Sequence, residues 1–153
     1  MTSHPETRPW IRSDRAWPRP LVLSPTLRRV LGEWADHWYP LEACGLLVGR
    51  RGADADQVVR FERARNIETE RGWDRYTLAP EDWVRIESEA RDEGLDVLGV
   101  WHSHPDQPAL PSESDLAYAW EGYSYLITRT GASSTHRAWR LDGGVFVEQE
   151  VTR

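Results

Sequence analysis

Lysine is absent from this 153-residue sequence, and cysteine and methionine occur once each. All 19 basic side chains are therefore arginine, set against 25 acidic ones for a formal charge of -6. That balance cannot build the broad cationic face that neutralises a phosphate backbone, so non-specific nucleic-acid binding is excluded. The lone Cys44 excludes an intramolecular disulfide framework and a structural zinc site of several thiolates. A cytoplasmic, intracellular protein is expected. No apolar run nears the roughly 20 residues of a membrane-spanning helix, and the opening MTSHPETRPW lacks the basic start and apolar stretch of a signal peptide. No membrane partner is expected either. What abounds is tryptophan: nine residues from Trp10 to Trp139 with no fixed period, which predicts packing rather than a repeat.

The length suits one domain with a sizeable core. Pro5, Pro9, Pro18 and Pro20 stand among polar and arginine residues, so residues 1–20 are read as a flexible, proline- and arginine-rich arm ahead of a domain over 21–153. Ser24-Pro25 places an N-cap before a proline at the first helical position, and Leu27, Val30, Leu31, Trp34 and Trp38 form a helical stripe that Pro40 stops. Residues 43–49 and 58–64 read as paired strands, 65–75 as a loop and 76–78 as a short strand. A second helix starts at Pro80 and ends at Gly94, an interior strand spans 96–101, and a short helix begins near Ser112. Residues 123–128, 137–141 and 145–151 read as strands, the last two joined through Asp142-Gly143-Gly144 as a hairpin. The fold class is α+β (mixed α/β): one curved mixed sheet flanked by two longer helices and one short helix.

The chemistry concentrates after the interior strand. His102 and His104, at i and i+2, lie on one side of an extended chain, so both imidazoles can reach one ion. Pro105, Pro108 and Pro111 stiffen the loop that follows, and Asp115 comes eleven residues after His104, positioned to bring a carboxylate back. Two histidines and one carboxylate form a catalytic zinc set, because three protein ligands leave the fourth position to water. The spacing His-x-His, seven residues, Ser, two residues, Asp arises by chance in fewer than about one chain of this length in a thousand. A zinc hydrolase also needs a proton-transfer group, and Glu42, at the mouth of the apolar strand, is the best upstream candidate. His4, His37 and His136 have no comparable company and read as ordinary exposed or locally bonded imidazoles.

Pro40, Glu42, Cys44-Gly45-Leu46-Leu47 and Gly49, followed by His102-Ser103-His104-Pro105, Pro111-Ser112 and Asp115, resemble the JAMM (MPN+) metalloprotease family, in its small stand-alone prokaryotic form. The resemblance spans about residues 21–150 and carries the metal motif without a substitution. It implies one Zn2+ per chain held by His102, His104 and Asp115, with Glu42 as general acid/base and Ser112 steadying the oxyanion. It also implies hydrolysis of a peptide or isopeptide bond after the C-terminal Gly-Gly of a ubiquitin-like or sulfur-carrier protein, for example a carrier–cysteine adduct. Residues 65–76 resemble the stretch these proteins place before their second helix, and Asn66 is assigned only a substrate-loop contact. Two other readings stand beside this one. Cys44 as a nucleophile is disfavoured by its apolar neighbours. A non-catalytic MPN-type scaffold is disfavoured by the survival of Glu42 beside a full ligand set. The oligomeric state is left open.

Overall fold

The computed structural model describes residues 8–130 and 135–153. In chain order the elements are β1 (Ile11–Val22), α1 (Pro25–Trp38), β2 (Cys44–Arg51), β3 (Asp56–Ala64), α2 (Pro80–Asp92), β4 (Asp96–Pro105), α3 (Glu113–Tyr118), β5 (Ser124–Thr130), β6 (Thr135–Asp142) and β7 (Val145–Thr152). Mixed α+β architecture, two longer helices and one short one are as expected.

The helices begin where their caps place them. Ser24 Oγ accepts from Leu27 N–H with Pro25 just inside α1, and α2 opens on Pro80 with Glu81 and Asp82 in its first turn. The β6–β7 hairpin turns on Gly143 and Gly144, whose φ values of 61° and 82° are what a primed two-residue turn requires.

The sheet runs β1-β3-β2-β4-β5-β6-β7 and closes on itself. β4 pairs antiparallel with β2 and parallel with β5, while β1 pairs parallel with β7 and, at Leu21 and Val22, with β3. Alternate side chains feed two apolar clusters on opposite faces. Leu46, Val48, Val100 and Ile127 pack with Ile86 and Ala90 of α2, while Leu47, Leu98, Trp101 and Leu126 pack with Leu31 and Ala35 of α1. Gly99 allows β4 and β5 to approach: a Cβ there would lie 1.9 Å from Ser124 O.

Three expectations need correction. Residues 11–20, read as part of a loose arm, form most of β1; among the described residues they pair with β7 alone, so prolines there have an unpaired edge to face and cost little. The part of that arm over 1–7 lies outside the described residues. β4 does not end at Trp101 but continues through both histidines to Pro105, because β5 runs alongside it as far as Thr130. The strand expected at 76–78 reduces to one bridge between Asn66 and Leu78.

Candidate metal centre

Because His102 and His104 sit within β4, their positions are set by sheet pairing rather than by a loop. His102 stands opposite Cys44 of β2 and Ile127 of β5, and His104 opposite Arg129. Both imidazoles point to one face and are buried, with their Nε2 atoms 2.9 Å apart. Ser103, between them, points to the other face, where its Oγ accepts from Ala43 N–H at 2.8 Å while its own N–H donates to Ala43 O at 3.0 Å. That reciprocal pair ties the histidine strand to the residue next to Glu42.

Asp115 comes from the first turn of α3. Ser112 Oγ accepts from Asp115 N–H at 3.0 Å, and Asp115 Oδ2 accepts from Ser112 N–H at 2.7 Å, a capping box that fixes the carboxylate on the helix end. Its Oδ1 lies 3.3 Å from His102 Nε2 and its Oδ2 3.4 Å from His104 Nε2. Ser112 thus has two jobs open to it, since its oxygen accepts the capping bond while a hydroxyl can also donate, and the residue lines the cavity.

Glu42 precedes β2, 5% exposed, and offers a carboxylate oxygen within 4.8 Å of both imidazoles. Its backbone is clamped: Glu42 N–H donates to Gly72 O at 2.6 Å, and Glu42 O accepts from Asn66 Nδ2 at 3.0 Å. Asn66 therefore does more than touch a substrate loop. Its amide also donates to Arg75 O at 3.3 Å and accepts from the N–H groups of Glu68 and Thr77, each at 3.0 Å, so one side chain organises the loop from 66 to 77 around Glu42. Tyr76, a residue to which the sequence pattern gave no role, stacks on His102 with ring centroids 4.4 Å apart.

The protonation preferences follow from burial and neighbours. Burial pushes the Glu42 carboxyl up to about 8, with His104 opposing and the charges of Asp115 and Asp74 adding to the rise. Burial works against ionised Asp115 too, but the charges and hydrogen bonds of both histidines outweigh it and hold this carboxyl well below the usual range. Burial lowers His102; for His104 the bonds and charge of Asp115 overcome burial and raise it. Two carboxyls in one site are thus driven apart, one kept ionised and one able to carry a proton near neutrality. Cys44 is pushed up to about 12 by burial, which makes it an inert packing group.

The arrangement fits a tetrahedral divalent cation. Donors about 2.0–2.1 Å from zinc stand roughly 3.3 Å apart along a tetrahedral edge; here the two Nε2 atoms are 2.9 Å apart, and each has its own Asp115 oxygen nearby, Oδ1 at 3.3 Å from His102 and Oδ2 at 3.4 Å from His104. His104 Nδ1 lies 2.8 Å from Pro108 O, which accepts its proton and leaves Nε2 as the donor to an ion. His102 Nδ1 is buried with no partner among the described residues. Glu42 with the two histidines makes a second three-donor set around the same point. Cavities of about 650 and 690 Å³ meet at Glu42, the first bounded by the His104–Ser114 loop and residues 71–75, the second by Trp34, Trp38, Leu41, Ile67 and Trp73.

Known proteins share this framework. Residues 24–142 match the family described as prokaryotic homologs of the JAB domain. A desampylase of Haloferax volcanii is 36% identical over 104 residues, covering 67% of this chain and 73% of that protein. A CysO-cysteine peptidase of Mycobacterium tuberculosis is 25% identical over 138 residues, covering 86% of this chain and 89% of its own. The solution structure of a protein from Desulfitobacterium hafniense aligns with a TM-score of 0.77 at 28% identity, over 86% of this chain and 90% of the other.

Proposed function

The chain belongs to the prokaryotic homologues of the JAB domain, within the small JAMM/MPN proteins, and on that premise we propose that it is a zinc metallopeptidase acting on conjugates of a ubiquitin-like or sulfur-carrier protein. The observation that carries this reading is the convergence of His102 Nε2, His104 Nε2 and the Asp115 carboxylate within 3.4 Å of one another, beside the buried Glu42 carboxyl. The names of the desampylase and the CysO-cysteine peptidase support the substrate class. The scissile bond is the amide or isopeptide after a C-terminal Gly-Gly, a tail without side chains that threads a narrow site in extended form.

His102, His104 and Asp115 would hold one zinc ion, which would supply Lewis acidity and lower the pKa of the attacking water. Glu42 takes a proton from the attacking water and returns it to the leaving nitrogen, a double duty that suits a carboxyl held near neutrality by burial. Ser112 donates its hydroxyl proton to the carbonyl oxygen as negative charge builds there. Asp115, held ionised, adds the negative donor to the set, its oxygens 3.3 and 3.4 Å from the two Nε2 atoms. The products balance as a carrier ending in a free Gly carboxylate and a free amine.

Purified protein is expected to hold about one zinc per chain, with Glu42→Gln keeping the metal and losing at least about 100-fold in turnover of a Gly-Gly-linked carrier adduct. Full turnover by Glu42→Gln, or no metal at neutral pH without chelator, refutes the assignment.

A further inference from the structure

Two side chains at the start of β1 reach across the molecule to the peptide that carries Ser112. Trp10 Nε1–H donates to Pro111 O at 2.7 Å and an Arg8 amine N–H donates to the same oxygen at 2.9 Å. Both contacts join residues more than 100 positions apart in sequence. The Arg8 guanidinium lies 6.0 Å from the Trp10 ring centroid, so the two donors also orient each other. Trp10 is itself fixed to the barrel, because its carbonyl accepts from Phe146 N–H at the start of β7 at 2.8 Å.

The other end of the same peptide unit faces the metal site. Ser112 N–H donates to Asp115 Oδ2 at 2.7 Å, and that oxygen stands 3.4 Å from His104 Nε2. A peptide group polarises as a unit: donors on its oxygen, one of them a cation, draw electron density from the nitrogen and strengthen the bond its N–H makes. Two donors on one carbonyl also fix the plane of the peptide, and with it the direction in which the N–H points. Asp115 is thereby held in one rotamer at one distance from both histidines.

We propose that Trp10 and Arg8 are positioning residues for the metal centre, acting through the Pro111–Ser112 peptide on the Asp115 carboxylate to tighten its hold on a divalent cation. The proposal rests on the zinc reading above. Both act through Pro111 O, although Arg8 also lines the cavity that Glu42, His104 and Ser112 share. Their effect belongs in metal affinity and metal release, as for hydrogen-bond partners directly behind a ligand but one bond further back.

The test measures zinc affinity by competition with a chromophoric chelator for the wild type, Trp10→Phe, Arg8→Met and Trp17→Phe, at a temperature where circular dichroism shows each variant folded. Trp10→Phe keeps the ring and loses only the N–H. Trp17 lies on β1, which Arg8 and Trp10 lead into, and its indole N–H is buried without a partner among the described residues, so Trp17→Phe controls for general loosening of β1. Trp10→Phe and Arg8→Met are each expected to bind zinc about 10-fold more weakly, with Trp17→Phe unchanged; KM for a carrier adduct is expected to be unchanged at saturating zinc in Trp10→Phe, the variant read for KM because Arg8 also lines the cavity of Glu42, His104 and Ser112. Binding by both variants within two-fold of wild type overturns the proposal, as does an equal loss in Trp17→Phe. A wild type that binds no zinc refutes the metal reading itself, and the proposal with it.

Discussion

Replacing Asn66 with alanine removes four hydrogen bonds at once, two donated to Glu42 O and Arg75 O and two accepted from Glu68 N–H and Thr77 N–H. Bonds of this kind contribute about 1 kcal/mol each. Two of the four lie where water can replace them, so the net loss of stability is placed at about 2–3 kcal/mol, or about 4–12 °C in Tm for a domain of this size. The larger effect falls on the reaction. Glu42 has its carbonyl on Asn66 and its N–H on Gly72 O, so freeing the Asn66 side releases the backbone that aims the proposed base. Turnover is expected to fall about 10- to 100-fold with zinc content unchanged. Asn66→Asp is the informative companion. It keeps the two acceptor bonds but loses both donors and brings a negative charge toward Glu42, so it should recover most of the stability and little of the turnover. Urea unfolding gives the stabilities, initial rates on a carrier adduct give turnover, and elemental analysis gives zinc. An Asn66→Ala variant within 0.5 kcal/mol of wild type and fully active refutes the reasoning.

Other perturbations test other parts of the molecule. His136 lies 2.7 Å from Thr128 Oγ1, and its pKa is lowered to about 4 by burial and then by the Arg28 charge. Its neutral form is favoured by folding, so this stabilisation is complete above about pH 6.5 and is lost as pH falls toward 4. Discounted for the ring's partial exposure to solvent, the gap between wild type and His136→Gln should narrow by about 1–2 kcal/mol between pH 7 and pH 4 in urea titrations; a constant gap refutes this. Gly99→Ala drives a methyl group into Ser124 O, backbone against backbone, and should cost at least about 3 kcal/mol, seen as a Tm drop of about 6–12 °C; a drop under 2 °C in a thermal melt shows that β5 can give way. Cys44, with its thiol pushed up to about 12, should resist iodoacetamide at pH 8 for hours in the folded protein, and mass spectrometry showing modification within minutes refutes its inert role.

The core of the site was legible because its signals are local. A period of two puts His102 and His104 on one face wherever the strand ends, and Ser112 with Asp115 at N-cap and N3 is a capping pattern as well as a ligand motif. Ser24-Pro25 set the start of α1, and Gly143-Gly144 set the last hairpin. What escaped notice depends on partners distant in sequence. Residues 11–20 carry prolines and no clean alternation, and only pairing with β7, more than 120 residues away, makes them a strand. For the same reason nothing near Arg8 or Trp10 could announce their common acceptor at Pro111. Asn66 sat in a segment correctly read as a loop, but its four partners lie before, within and after that loop.

Barrel closure also imposes an order in time. A ribosome delivers β1 first and β7 last, and Gln149 bonds to Arg19 O across 130 residues of chain. Through most of synthesis β1 has nothing to pair with except β3 at Leu21 and Val22. Pairing at such separation is slow, because loop-closure entropy is lost before the contacts form. The histidine strand, its neighbours and α3 can therefore assemble on the nascent chain well before the Trp10 carbonyl finds Phe146. A half-made protein would carry every donor of the metal centre and lack the clasp that steadies one of them. On the proposed zinc reading, full metal retention would come late, once β7 has paired with β1.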